Sequence, residues 1–207
     1  MSDKNLIAIL VRHGDTSVNE SNCFRSRLDP PLNEEGLKQA DEAADDIENG
    51  DFKVKRVVCS PLLRACQTAD TIAERLGLDV EQDRGLISWN LGFLSGKSKE
   101  DYDDILNFFV DNPKKVPPEG ESLDELEQRT FEYFTPELKK DNLTFYVTHT
   151  SNIICVQNLI NGNHDGRPES GDFSVDTGGA VGIYLDANDK YSADVLFGKE
   201  KEATFGS

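Results

Sequence analysis

The stretch "NLIAILV", residues 5 to 11, limits most strongly how this chain can fold. A near-continuous apolar run of this kind fits a strand buried on both faces, as in a parallel sheet covered by helices on each side. The run stops abruptly at Arg12, His13, Gly14 and Asp15. Two readings of that stop compete. One is a strand end with a solvated loop and a hydrogen-bonded histidine. The other is a nucleophile in an anion pocket, with Asp15 as an acid beside it.

The rest of the chain alternates strands with helices. Asn33 is a good N-cap for an amphipathic helix over 34–48, where Leu37, Ala40, Ala44 and Ile47 recur at helical spacing. "KRVVCS" (55–60) reads as a second strand, with Ser60 capping a helix that carries Pro61 in its first position and ends at Gly77. Residues 86–98 show no period and read as an irregular loop, followed by a helix near 99–110. Ser122 and Glu125 form a capping-box pattern that starts another helix. "LTFYVTH" (143–149) is a third strand, followed by the helix "SNIICVQNLI", and the tail alternates around an Asp-Asn-Asp turn as a closing hairpin. The expected fold is α/β: a three-layer α/β/α sandwich with a largely parallel central sheet. No repeat or linker breaks the chain, so residues 1–207 read as one domain, with 86–135 as an inserted lid region.

The net charge of −17 sets this chain against nucleic acid and acidic membranes as partners. No stretch approaches the roughly 20 apolar residues that span a bilayer, and the first residues lack the basic start of a signal peptide. The expected location is the cytoplasm. The four cysteines (Cys23, Cys59, Cys66, Cys155) form no CxxC pair and no metal-like spacing with histidine; Cys59 and Cys155, inside apolar stretches, read as small buried hydrophobes. Neither a metal nor a cofactor is expected. The sequence is silent on oligomeric state.

In an open α/β sheet, ligands bind outside the carboxyl ends of the strands. Arg12 and His13 follow the first strand, Arg64 lies at the start of the helix after the second, and His149 follows the third. A lone strand-end histidine is more often structural than catalytic. The chain has only three histidines, however, and two of them take equivalent edge positions. Two Arg and two His gathered there make an anion pocket. Guanidinium forks match phosphate oxygens, and helix N–H groups add donors.

The stretches "LVRHGDTSVNE", "FRSRLDPPLNEEGLKQA", "SPLLRACQTA", "PPEGES" and "VTHTSNI" resemble the histidine phosphatase superfamily, in its phosphoglycerate mutase-like branch. The resemblance runs from about residue 7 to residue 185. It implies that His13 is the nucleophile, phosphorylated during turnover, and that Arg12, Arg64 and His149 hold the phosphoryl oxygens, with His149 as a cationic donor. Gly14 would let the chain pass close to the phosphate. Asn19 matches a pocket asparagine, or is a helix-terminal polar residue. Arg25 sits where many members carry an arginine before glycine, although Ser26 follows here. Thr150 completes the expected substrate-binding set. Arg129 reads as an ion-pair partner, Glu121 as a helix start or a site residue, and His164 as a surface loop residue.

One position departs from the pattern. The family usually carries a glutamate that protonates the leaving oxygen, in a frame where this chain has "LISWNLGFLSG" and Ser88 at the acid's place. Serine is a poor acid. The substrate then has a good leaving group, or another carboxylate reaches in (Asp15, Asp101, Asp103 or Glu121), or the chain binds phospho-ligands with weak or no catalysis. The expected activity is a metal-independent phosphatase acting on a small phosphorylated molecule or a phosphoprotein. A phospho-ligand binding protein is the alternative, and a mutase fits less well.

Overall fold

The computed structural model describes residues 4–163, 173–203 and 205; His164 lies outside them. The strand β1 (Asn5–Arg12) is the centre of a six-stranded sheet. It lies between β4 (Thr144–Thr148), which runs parallel to it, and the antiparallel β6 (Ala180–Leu185). On the far side of β4 come β2 (Arg56–Cys59) and β3 (Val80–Gln82), both parallel. β7 (Tyr191–Phe197) closes the hairpin with β6 at the other edge. A separate pair joins β5 (Phe173–Val175) to β8 (Glu200–Glu202).

The two-residue period of a strand sorts the apolar run into two cores. Ile9 and Val11 of β1, Val57 and Cys59 of β2, and Phe145 and Val147 of β4 face one layer. That layer is α2 (Glu34–Asn49) and α3 (Leu63–Leu76), which contribute Ala43, Ala44, Ile47, Ala65, Ala69 and Ile72. The alternate residues Ala8, Leu10, Val58 and Tyr146 face α5 (Leu123–Glu137) and α6 (Thr150–Asn161). The continuous apolar stretch is therefore the consequence of helices on both faces, and the chain is the expected α/β/α sandwich.

Local signals set most helix ends. The Asn33 side chain accepts from Gly36 N at 2.7 Å, Gly77 ends α3 at φ 64°, and Ser122 and Glu125 close a capping box. Ser60 departs from its expected role. The helix α3 starts at Leu63, two residues beyond Pro61, and its first N–H is capped from another loop by Asp29 Oδ1 at 2.7 Å. A tertiary contact caps the helix, and the Ser60 hydroxyl accepts from Leu62 N at 3.4 Å and from His149 in the site.

Residues 86–135 follow from the end of one 3-10 turn (Arg84–Leu86) and contain a second (Gly92–Leu94), the helix α4 (Lys99–Asp111) and most of α5. They build a third apolar cluster of Trp89, Leu91, Leu94, Leu106, Phe109, Leu123 and Leu126 against Phe24 and Ile154. This region is packed onto α6 through its own core. Among the described residues no helix is long and apolar enough to cross a membrane.

Candidate active site

The register of the parallel strands carries their carboxyl ends to one edge. Arg12 pairs with Thr148 and Cys59 with Val147. The residues that follow are tied across the same edge: His13 N donates to Thr148 O at 3.2 Å and Ser60 N to Val147 O at 2.9 Å. His13, Ser60 and His149 are thus placed side by side by backbone hydrogen bonds. The two imidazole centroids lie 5.2 Å apart.

His13 is wholly buried and its ring is fixed at both nitrogens. Nδ1–H donates to Gly14 O at 2.7 Å. A carbonyl only accepts, so Nδ1 carries the proton and Nε2 keeps its lone pair. Arg64 Nε donates to that Nε2 at 3.1 Å. Burial, then Arg25, Arg64 and His149, hold the His13 pKa well below 6.5. The ring is neutral at neutral pH, in the tautomer a nitrogen nucleophile requires.

Arg64, fully buried, is the brace of the site. It also donates to Leu28 O at 2.8 Å, Ser26 O at 3.0 Å and His149 Nδ1 at 3.3 Å. His149 Nε2–H then donates to Ser60 Oγ at 2.8 Å. His149 was expected to be a cation. Burial and the guanidiniums of Arg64 and Arg25 instead keep its pKa well below 6.5, so the ring is neutral in this arrangement.

Three guanidiniums converge here. Burial lowers Arg12 and Arg64 to a pKa of about 10 each. Arg25 is lowered by burial and then by Arg64 and Arg12. Asp15 offsets part of the charge on Arg12 and Arg25. Asn19 Oδ1 accepts from Arg25 Nη1 and from Thr16 N at 3.0 Å, so Asn19 orients that arginine. Arg12 Nη1 donates to Val175 O at 2.9 Å, but its Nε is buried without a partner, as is Thr150 Oγ1 in the first turn of α6. Two orphaned buried polar atoms beside three crowded cations call for a polyanion with several acceptor oxygens.

Gly14 also meets a packing need. A Cβ there would meet Gly36 O at 2.4 Å, so its bare backbone is required by the close approach of α2. Ser26 sits at φ 52°, a left-handed conformation that suits the glycine expected at this position from the family resemblance. Its hydroxyl offsets the cost by donating to Trp89 O at 3.0 Å and accepting from Leu91 N at 2.9 Å.

On the His149 side a cavity of about 30 Å³ is lined by Arg25, Ser88, Trp89, Thr150, Ser151 and Phe205, among others. Phe205 packs edge-on against Trp89, with centroids 5.6 Å apart. Ser88 lies on this wall, and among the described residues no carboxylate side chain lines it. Glu121 accepts from Arg27 Nη2 at 2.8 Å, from Arg129 Nε at 3.1 Å and from Asn90 N at 2.9 Å. Despite burial, Arg129 and these other donors hold its pKa below the ordinary value. Glu121 is an anchored carboxylate, and Arg129 is its ion-pair partner. Asp101 and Asp103 are exposed on α4. Sequence reasoning missed Lys99, at the start of α4. Its pKa is lowered by burial and then by Arg25 and Arg12, which puts a fourth cation beside the pocket. A lysine opening an acidic helix was the available signal.

The buried neutral histidines have a consequence for stability. A base whose folded pKa is depressed below about 6.5 leaves stability intact above that value and loses it as pH falls toward the folded value. The urea midpoint is expected to drop between pH 7.5 and pH 5.5, and to drop less in His13→Asn. An equal drop in both proteins would assign the acid sensitivity to other groups.

A neutral imidazole with a free lone pair, framed by guanidiniums at the carboxyl edge of a parallel sheet, defines a phosphoryl-handling enzyme. The chain belongs to the histidine phosphatase superfamily (branch 1), whose model matches residues 8–183. A 2,3-bisphosphoglycerate-dependent phosphoglycerate mutase of Thermoplasma acidophilum is 30% identical over 149 residues, 71% of this chain and 72% of that relative. Two solved phosphatases share the fold. A mycobacterial glucosyl-3-phosphoglycerate phosphatase complexed with VO3 superposes with a TM-score of 0.76 at 23% identity, covering 92% of this chain and 98% of that one. The alpha-ribazole phosphatase of Shigella flexneri gives 0.75 at 23% identity, covering 91% and 95%.

Proposed function

We propose that this protein is a phosphatase that hydrolyses phosphoric monoesters through a phosphohistidine at Nε2 of His13. The observation that carries the reading is the fixed tautomer: Nδ1–H on Gly14 O leaves the Nε2 lone pair facing a cationic pocket. In the first step Nε2 attacks phosphorus in line. The N–P bond forms, the P–O bond to the leaving group breaks, and the leaving oxygen keeps the electron pair. Arg12, Arg25 and Arg64 offset charge on the equatorial oxygens, the main protein contribution to phosphoryl transfer. The phosphoryl group takes the Arg64 hydrogen that His13 Nε2 accepts in this structure. Thr150 Oγ1 and the N–H groups opening α6 add donors. In the second step water attacks phosphorus, the N–P bond breaks, and its pair returns to Nε2.

Among the described residues, the cavity wall offers no carboxylic acid to supply the proton for the leaving oxygen. A general acid contributes about 10²–10⁴ in rate. The substrates are therefore those whose leaving oxygen departs as a stable anion: aryl phosphates among the monoesters and, beyond them, acyl phosphates. The same lack weighs against a mutase, which needs an acid and a base in each half-reaction.

The lack of an acid also favours a second reading, a phospho-ligand binding protein without turnover. Orthophosphate binding measured beside hydrolysis of an aryl phosphate separates the two. The phosphatase reading expects both, with orthophosphate also raising Tm as it relieves the crowded guanidiniums. Binding without hydrolysis would establish the second reading.

A further inference from the structure

Cys59 ends β2, and Cys66 lies in the first turn of α3. Both are free thiols, and their sulfurs lie 3.8 Å apart. Cys59 is buried in the core, whereas Cys66 is partly exposed. Cys66 Sγ also donates to Ser60 O at 3.4 Å. The six residues between them include Ser60, which holds His149, and Arg64, which holds both histidines. We propose that Cys59 and Cys66 form an oxidation site that closes to a disulfide on reaction with a small disulfide such as oxidised glutathione, and that closure disables the phosphate pocket in front of it.

The exchange balances. The Cys66 thiolate attacks one sulfur of the oxidant, giving a mixed disulfide and one glutathione thiol. The Cys59 sulfur then attacks Cys66 Sγ and expels the second glutathione thiol. Two protein thiols are oxidised and one glutathione disulfide is reduced. Burial raises both protein thiols above their ordinary pKa, so the reaction runs slowly and is best followed at mildly alkaline pH.

A disulfide needs its sulfurs about 2.05 Å apart, so the pair must draw closer by nearly half its present separation. β2 is held between β3 and β4 in the sheet. With β2 fixed on both edges, the movement falls on the first turn of α3, which carries Arg64. Displacing a positioning group by about 1 Å costs on the order of 10² in rate.

The covalent step stands apart from the phosphatase reading; only its effect on turnover rests on that reading. The full chain is incubated with oxidised glutathione. Non-reduced peptides are mapped by mass, and orthophosphate affinity and aryl phosphate hydrolysis are measured before and after dithiothreitol. The expected result is a Cys59–Cys66 linked peptide, with affinity and turnover lost together and recovered on reduction. Cys66→Ser is expected to keep both through the oxidant. Thiols at 59 and 66 that stay unlinked while Cys23 is already modified would overturn the site. A linked pair with unchanged phosphate affinity would overturn its effect. Orthophosphate binding and the peptide map decide the matter even in a chain that hydrolyses nothing.

Discussion

Replacing His13 by alanine is expected to lower hydrolysis of an aryl phosphate by roughly 10³-fold or more, while orthophosphate affinity changes by no more than about tenfold. The two effects part because His13 and the cations do different work. Nε2 of His13 is the atom that forms the new bond, whereas His149, tied to Ser60 through Nε2 and to Arg64 through Nδ1, is assigned to holding the phosphoryl oxygens. The guanidiniums of Arg12, Arg25 and Arg64 keep anchors apart from the imidazole, at Val175 O, Asn19, Leu28 O and Ser26 O, although Arg64 gives up its bond to His13 Nε2. Steady-state kinetics beside calorimetric titration with orthophosphate check the split. Loss of binding together with turnover would make His13 a structural residue.

Ser88→Glu is the second large effect. The side chain stands at the wall of a small cavity that also touches Arg25, His149 and Thr150. A glutamate there would put a proton donor beside the leaving oxygen, and kcat/KM for an alkyl phosphate is expected to rise by about 10²-fold, the lower end of what a general acid contributes. Aryl phosphates, which leave without help, should gain far less, so the dependence of rate on leaving-group pKa flattens. A variant that folds and binds orthophosphate as before but keeps the same steep dependence would mean that a carboxyl group at position 88 does not reach the leaving oxygen. A shallow dependence already present before the substitution would mean that leaving-group protonation has a source, and Asp15, near Arg12 and Arg25, is then the first residue to substitute.

The sequence made the frame of this site readable for a physical reason. A strand buried on both faces must be apolar throughout, so β1 and β4 announce themselves, and the polar residues that follow them mark the ligand edge. Arg12, His13, Arg64 and His149 could be gathered from that rule and the family's motifs. What stayed hidden depends on contacts distant in sequence. β3 is three residues at a sheet edge, mostly exposed, with no apolar run to signal it. Ser60 looked like a helix cap because Pro61 follows it, but Asp29 took over the capping and His149 took the hydroxyl. The neutrality of His149 follows from how many guanidiniums the fold crowds around it, which spacing does not reveal. The packing of residues 86–135 rests on Phe24 and Ile154, from separate parts of the chain.

The central claim is that Nε2 of His13 becomes covalently phosphorylated. The direct measurement is rapid quenching in base during turnover of an aryl phosphate, followed by peptide mass mapping. The account predicts a phosphoryl group on the peptide containing His13, stable in alkali, lost in acid and absent in His13→Ala. Sustained hydrolysis with no such adduct, or with the label on another residue, would contradict it.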